Sequence, residues 1–258
     1  MSRSSMEIQC SAVKALFFRE IRTRFGKYRL GYIWSVLEPS SHLVILITIF
    51  GYIMHRTMPD ISYPACLLNG VIPYFIFSSV ATRSVNAIDA NRGLFNYRPV
   101  RPIDTLLART LLETIIYIIV YALLMLILAF LGEDFSMSKL VLLFTTWLLL
   151  IIFSLGAGLI FMVLGQLSPE AEKILPIIIK PVYFISCVMF PIHAVPKEYW
   201  HYLLWNPVVH IVELSREAVV PGYVSEGVSL GFLAISSVLI LFIGLALYRT
   251  YEEKMLTS

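Results

Sequence analysis

The sequence predicts an all-α integral membrane domain of six transmembrane helices, with an amphipathic interface helix before the first and re-entrant helices before the last. Three observations lead there. The 258 residues are 58% hydrophobic and only 14% charged, with a mean hydropathy of +0.79, well outside soluble globular composition. Apolar runs of spanning length recur from the first quarter of the chain to its C-terminus. Sixteen of the lysines and arginines fall on the side reached by an even number of crossings and four on the other. That positive-inside bias puts both termini in the cytoplasm. Little sequence remains for anything else, so a single domain is expected over residues 1–258.

The chain opens with a polar decapeptide and no signal-peptide core, so insertion relies on the first span. Residues 12–32 carry Lys14, Arg19, Arg22, Arg24, Lys27 and Arg29, opposed only by Glu20. Two readings stand: a helix lying on the anionic cytoplasmic surface, or a solvated basic helix that is only a topology signal. The first span, 33–54, is awkward. Its uninterrupted apolar run, 43–54, is too short for a hydrocarbon core of about 30 Å. It must reach back through Trp34 and take Glu38 and Pro39 with it. A packed, paired Glu38 is expected there, followed by a kink at Pro39.

The second span, 63–81, holds Asn69, Gly70 and Pro73 but no charge, which suits an inner helix whose neighbours satisfy the freed polar groups. The interruption after it sets Arg83, Arg92, Arg98 and Arg101 against Asp89 and Asp104, with Asp104 a candidate N-cap. Within it, 89–101 reads as a short helix presenting Leu94, Phe95 and Tyr97 among basic residues. Such a knob suits a groove on another protein; the competing reading is an ordinary positive-inside loop.

The third span, 111–131, is the clearest, its Leu, Ile, Val and Phe together favouring insertion by about 4 to 7 kcal/mol. Arg109 and Glu113, one turn apart at its start, could pair. The fourth, 140–164, offers close backbone approach at Gly156 and Gly158, with Gly165 just beyond. The fifth, 174–190, is marginal. Its apolar residues favour insertion by about 3 to 6 kcal/mol, but a central Lys180 opposes it by about 2.5 to 3.5. Lys180 therefore either lines a path or pairs with another helix, or it snorkels inward. Residues 191–227 cluster Tyr199, Trp200, Tyr202 and Trp205 ahead of Asn206-Pro207 and a helix-like run over 208–219, as at a membrane interface. The sixth span is 228–248.

Catalytic patterns are weak. His210 and Glu213 sit one turn apart near His193 and His201, but neither HExxH nor paired cysteines accompany them. Cys10, Cys66 and Cys187 suggest no disulfide. No serine has a G-x-S-x-G context, and no G-x-x-x-x-G-K-[ST] occurs, so the chain cannot bind ATP through a P-loop. Energy for active work would have to arrive from a partner.

Arg19-Glu20-Ile21, Arg24-Phe25, Leu30-Gly31, Trp34 and Pro39 resemble the opening motif of ABC-2-type polysaccharide export permeases. Asn91, Leu94, Phe95, Val100, Pro102 and Asp104 resemble that family's cytoplasmic loop, and Trp205-Asn206-Pro207 with Glu213 and Arg216 its outer segment. The resemblance covers essentially the whole chain and is nearest to the group 2 capsule permeases. It implies a non-catalytic homodimeric subunit in the bacterial inner membrane, binding two ATPase subunits that hold ATP and Mg, and passing a lipid-linked polysaccharide. The ATPase-coupling residues would be Arg19, Arg22, Arg24, Asn91, Leu94, Phe95, Tyr97, Arg98 and Arg101. Channel or gate candidates are Glu38, Lys180, Tyr199, Trp200, Trp205, Asn206, Glu213 and Arg216. A periplasmic co-polymerase and an outer-membrane export protein would complete the path; no cofactor on this chain, metal or nucleic acid is implied. Export of O-antigen or teichoic acid, a membrane enzyme acting on lipid-linked sugars, and a passive anchor are the competing readings.

Overall fold

The computed structural model describes residues 5–25, 31–53, 62–95 and 100–257, and among them every regular element is helical. They are α1 (Ser5–Phe25), α2 (Gly31–Leu46, continued by a π-helical stretch Ile47–Ile53), α3 (Tyr63–Ser84), α4 (Pro102–Phe130), α5 (Leu140–Leu167), α6 (Ala171–Ile185), α7 (Trp200–Leu203), α8 (Pro207–Val219) and α9 (Leu230–Thr257), with short 3-10 turns at Asp89–Leu94, Ile192–Ala194 and Lys197–Tyr199. Five stretches are long and apolar enough to cross a membrane: 33–51 of α2 and its continuation, α3, α4, α5, and 230–255 of α9.

α3 is the hub. Ser62 caps it, accepting the Ala65 N–H at 3.1 Å. Of its most apolar stretch 78% is buried, against 17% for α2 and α9, so α3 is central while those two are peripheral. α4, α5, α6 and α2 pack around it, α9 lies behind α5, and α8 closes one end against α3 and α5. The polar residues of α3 are satisfied inside the bundle: Asn69 donates to Ala65 O at 2.8 Å and accepts from the Tyr121 hydroxyl at 2.8 Å. Where apolar side chains meet lipid as readily as each other, close backbone approach sets helix contacts. At the α5–α9 crossing a Cβ on Gly156 would lie 2.5 Å from the Leu241 nitrogen.

The two ends of the bundle differ. α1 lies across the start of α4, and Tyr248 and Met255 of α9 pack with Ala87, Ile88 and Leu106. Both ends of the described chain therefore share one end of the bundle with Arg19, Arg83, Arg92, Arg101 and Arg109, here called the basic end. At about 1.5 Å per residue, α4's 29 residues run about 43 Å, longer than a hydrocarbon core. Its first turns can stand clear of the core, where α1 meets them. The segment expected as the fifth span is instead the 15-residue α6 followed by irregular chain. Glu172 nevertheless accepts from Asn86, just past the C-terminus of α3, at 2.7 Å, and Met189 O accepts from Tyr63 at its N-terminus at 3.2 Å. Residues 172–189 thus run antiparallel beside the whole of α3.

Several local expectations are corrected. Glu38 is exposed, with no ion-pair partner among the described residues. α2 turns Pro39, Leu43 and Leu46 inward, and a period of 3.6 leaves position 38 on the outer face. Arg109 and Glu113 do not pair with each other. Arg101, not Asp104, is the N-cap of α4; Asp104 stands at the third helical position, where its carboxylate accepts the Arg101 N–H at 2.9 Å.

Candidate functional site

At the basic end α1 is tied to α4 and to the turn after α3 by charge. Arg24 and Arg83 both reach Glu113 Oε1, at 2.5 and 3.0 Å, and Arg109 reaches Glu20 at 2.7 Å. The Glu113 side chain is 2% exposed, and its other oxygen has no partner among the described residues. A cleft of about 370 Å³ opens between these residues and Thr82 and Asn86. Arg19 donates to Asn91 Oδ1 and to Ala90 O, and Gln9 donates to Asp104 at 3.1 Å. α1 is therefore pinned through four residues, Gln9, Arg19, Glu20 and Arg24, to the 3-10 turn and to the first half of α4.

The expected coupling residues divide accordingly. Arg19, Arg24 and Asn91 hold the assembly together from within, while Arg22 and Arg101 are exposed. Phe95 packs inward on the cluster around Leu106 and Leu159 rather than standing out as a knob, and Leu94 is half-buried. Tyr97 and Arg98 lie outside the described residues.

At the far end the expected gate residues form a buried clamp. Arg216 and Glu213 pair at 2.7 Å with neither side chain exposed. Arg216 donates to Cys66 O at 3.1 Å, Phe190 O at 3.1 Å and Val188 O at 2.7 Å. Glu213 accepts the Ile192 N–H at 3.1 Å and the Tyr223 hydroxyl. Asn206 caps α8, accepting from Val208 N at 3.0 Å, and donates to Ser186 at 2.8 Å. The chain 186–192, whose second residue Cys187 has a φ of +55°, is thus held carbonyl by carbonyl to α8 and α3. A buried charge pair with every group engaged acts as a rigid joint. Trp200 is buried, its indole donating to Val195 O at 2.8 Å, whereas Tyr199 and Trp205 are exposed. His210 is engaged by Leu204 O and the Ser229 N–H, and no cluster able to hold a metal occurs among the described residues. On the rim, the Lys197 ammonium 3.0 Å from Glu226 holds that carboxyl below its ordinary range.

A third feature lies between α2, α3 and α6. A cleft of about 400 Å³ is lined by His42, Tyr74, Phe75, Ser78, Ile179, Lys180, Tyr183 and Phe184. His42 Nε2 is 2.8 Å from the Tyr183 hydroxyl, and the exposed Lys180 stands at its edge.

Residues 11–220 match the ABC-2 type transporter family. The chain belongs to that family. It is 67% identical over its full length, and that of the relative, to the polysialic acid transport protein KpsM of Escherichia coli. It is 27% identical to the capsule polysaccharide export inner-membrane protein BexB of Haemophilus influenzae, over 97% of this chain and 95% of that one. It is 22% identical to the O-antigen export system permease protein RfbA of Klebsiella pneumoniae, over 92% and 90%. As an ABC-2 permease, the chain is a multi-pass membrane subunit and not an enzyme.

Sequence reasoning missed several parts of these sites: the double use of Glu113 by Arg24 and Arg83, the Arg109–Glu20 pair, the Gln9–Asp104 tie, and the His42–Tyr183 pair. His42 carried a signal, as the lone imidazole of the first span. The others join residues far apart in the chain and left none.

Proposed function

We propose that the chain is the inner-membrane permease of an ATP-driven exporter of lipid-linked capsular polysaccharide, working as a homodimer with two ATPase subunits. Similarity to a polysialic acid transport protein at 67% identity over the full length, and to a capsule polysaccharide export protein at 27% over 97% of the chain, carries this reading. It is favoured over O-antigen export, where identity falls to 22%. The chain makes six crossings with both termini cytoplasmic. The antiparallel course of 172–189 beside α3 supports the fifth crossing, and the shared end of α1 and α9 supports the placement of the termini. The exposed apolar strips of α2 (Trp34, Leu37, Ile45) and α6 (Ile177, Ile178, Phe184) supply a face for a second copy around the path.

The basic end receives the work. ATP and Mg stay on the ATPase, whose docking on the exposed Arg22 and Arg101 moves the 3-10 turn. Arg19 to Asn91 and Arg24 to Glu113 carry that movement into α1 and α4 as one body. At the periplasmic end the Glu213–Arg216 joint makes 186–192 and α8 move together, as a gate must. Beyond it the polymer passes to a co-polymerase and an outer-membrane export protein. Deleting the gene should leave polymer inside the cell while total synthesis continues, measured by fractionating cells and assaying surface and cytoplasmic glycan. Abolished synthesis would mean an enzyme instead.

A further inference from the structure

We propose that Glu38 of one copy pairs with Lys180 of a second copy of this chain, twice per dimer; this rests on the homodimer of the export reading and names the contact that sets its register. Glu38 is the one charged residue of α2 beside its histidine, and Lys180 is the one charge of α6 beyond its first turn. Both are exposed, and neither lies within ion-pair distance of an opposite charge among the described residues. Each interrupts an exposed apolar strip. On α2, Glu38 follows Trp34 by four residues and precedes Ile45 by seven; on α6, Lys180 follows Ile177 by three and precedes Phe184 by four. Those spacings put each set on one helical face. A carboxylate and an ammonium on such faces meet lipid unless an opposite charge covers them.

The two charges stand at one level. α2 and α6 both leave the basic end and run toward the far end. A Cβ on Gly31, at the start of α2, would meet the Phe25 backbone, and one on Gly51, in its continuation, the Tyr63 ring. α6 starts beside Asn86, and the chain after it reaches Tyr63. The His42–Tyr183 contact at 2.8 Å fixes the register between them. At about 1.5 Å per residue, Glu38 lies about 6 Å and Lys180 about 4.5 Å before that contact. Symmetry then supplies the partner. A two-fold axis along the bilayer normal preserves depth, and for two helices side by side on one face it sets α2 of each copy opposite α6 of the other. A lipid phosphate would serve Lys180 but not Glu38, and α2 set against α2 would place carboxylate on carboxylate. Only the crossed arrangement satisfies both charges.

Two copies with different tags would be coexpressed with the ATPase subunit, in a background where the exposed Cys10 is changed to serine. One copy carries Glu38→Cys and the other Lys180→Cys, and the membranes are oxidised. A disulfide-linked species bearing both tags is expected, and none between two copies of either single variant. In a second arm without added cysteines, Glu38→Lys or Lys180→Glu should cut co-purification of differently tagged copies by about tenfold or more, the scale of setting like charges opposite each other. The variant carrying both reversals should recover to within about twofold of the wild type. Linkage between like-substituted copies but not in the mixed pair overturns the proposal, as does a double reversal no better than the single ones. Wild-type copies that never co-purify would remove the homodimer and the pair with it. Copies that co-purify without the mixed link leave the homodimer standing and remove only this pair.

Discussion

Arg216 and Glu213 meet at 2.7 Å one turn apart on α8, with neither side chain exposed. Each also holds a different part of the chain before α8: Arg216 the carbonyls of Val188 and Phe190, Glu213 the amide of Ile192. Removing one partner strands the other charge. Arg216→Met should lower stability by about 3–5 kcal/mol, and the double variant with Glu213→Gln by less than that single change. Thermal unfolding of the purified protein in detergent checks both; a double variant as unstable as the sum of the singles would dissolve the joint.

Gly70 makes room for that joint. A Cβ there would strike the Val188 carbonyl and lie 2.7 Å from an Arg216 guanidinium nitrogen. Since backbone and a fully engaged guanidinium cannot easily yield, Gly70→Ala should cost about 1–3 kcal/mol. It should expose the loop at 186–192 to a protease added to the purified protein. Wild-type protease resistance would show that the loop adjusts.

At the basic end Glu113 serves two arginines and is itself nearly enclosed. Glu113→Ala should destabilise by roughly 1–3 kcal/mol, reduced because Arg83 is half exposed and keeps its water. The larger effect should be on coupling: α1 loosened from α4, measured as faster proteolysis of the N-terminal segment and lower export at unchanged ATP hydrolysis. Equal loss of hydrolysis and export would place the residue in ATPase binding instead.

Glu38 stands on the outer face of α2, away from the core around Leu43 and Leu46. Glu38→Gln should therefore leave stability unchanged to within about 0.5 kcal/mol while lowering export, since it lies on the face proposed above to meet a second copy around the path. A falling midpoint would reveal a partner in the fold, and normal export would make the residue a mere boundary.

Much of this was legible in sequence because membrane physics acts locally. A run such as 115–131 reports its own insertion, and all but its last residue falls within α4. Asn69, Gly70 and Pro73 in an uncharged span marked α3 as interior, and α3 is the most enclosed of the candidate spans. The tripeptide Trp205-Asn206-Pro207 marked the start of α8, where Asn206 is the cap. Pairing was not legible. Arg109 and Glu113, four apart on one helix, looked like partners, yet each found a different carboxylate or guanidinium on another element. Phe95 read as an outward knob because nothing nearby in the chain shows the surface of α5 and α9 that covers it.

By itself the sequence determined the class, the five long apolar helices and their order, and the family, since hydropathy over 20 residues and short motifs depend on neighbours along the chain. Only the tertiary structure decided which charges meet. Arg216 must reach α3 and the loop at 186–192 together, and Glu113 must be shared between α1 and the end of α3. Those distances are set by helix packing between segments up to 150 residues apart. A one-dimensional pattern carries no measure of them.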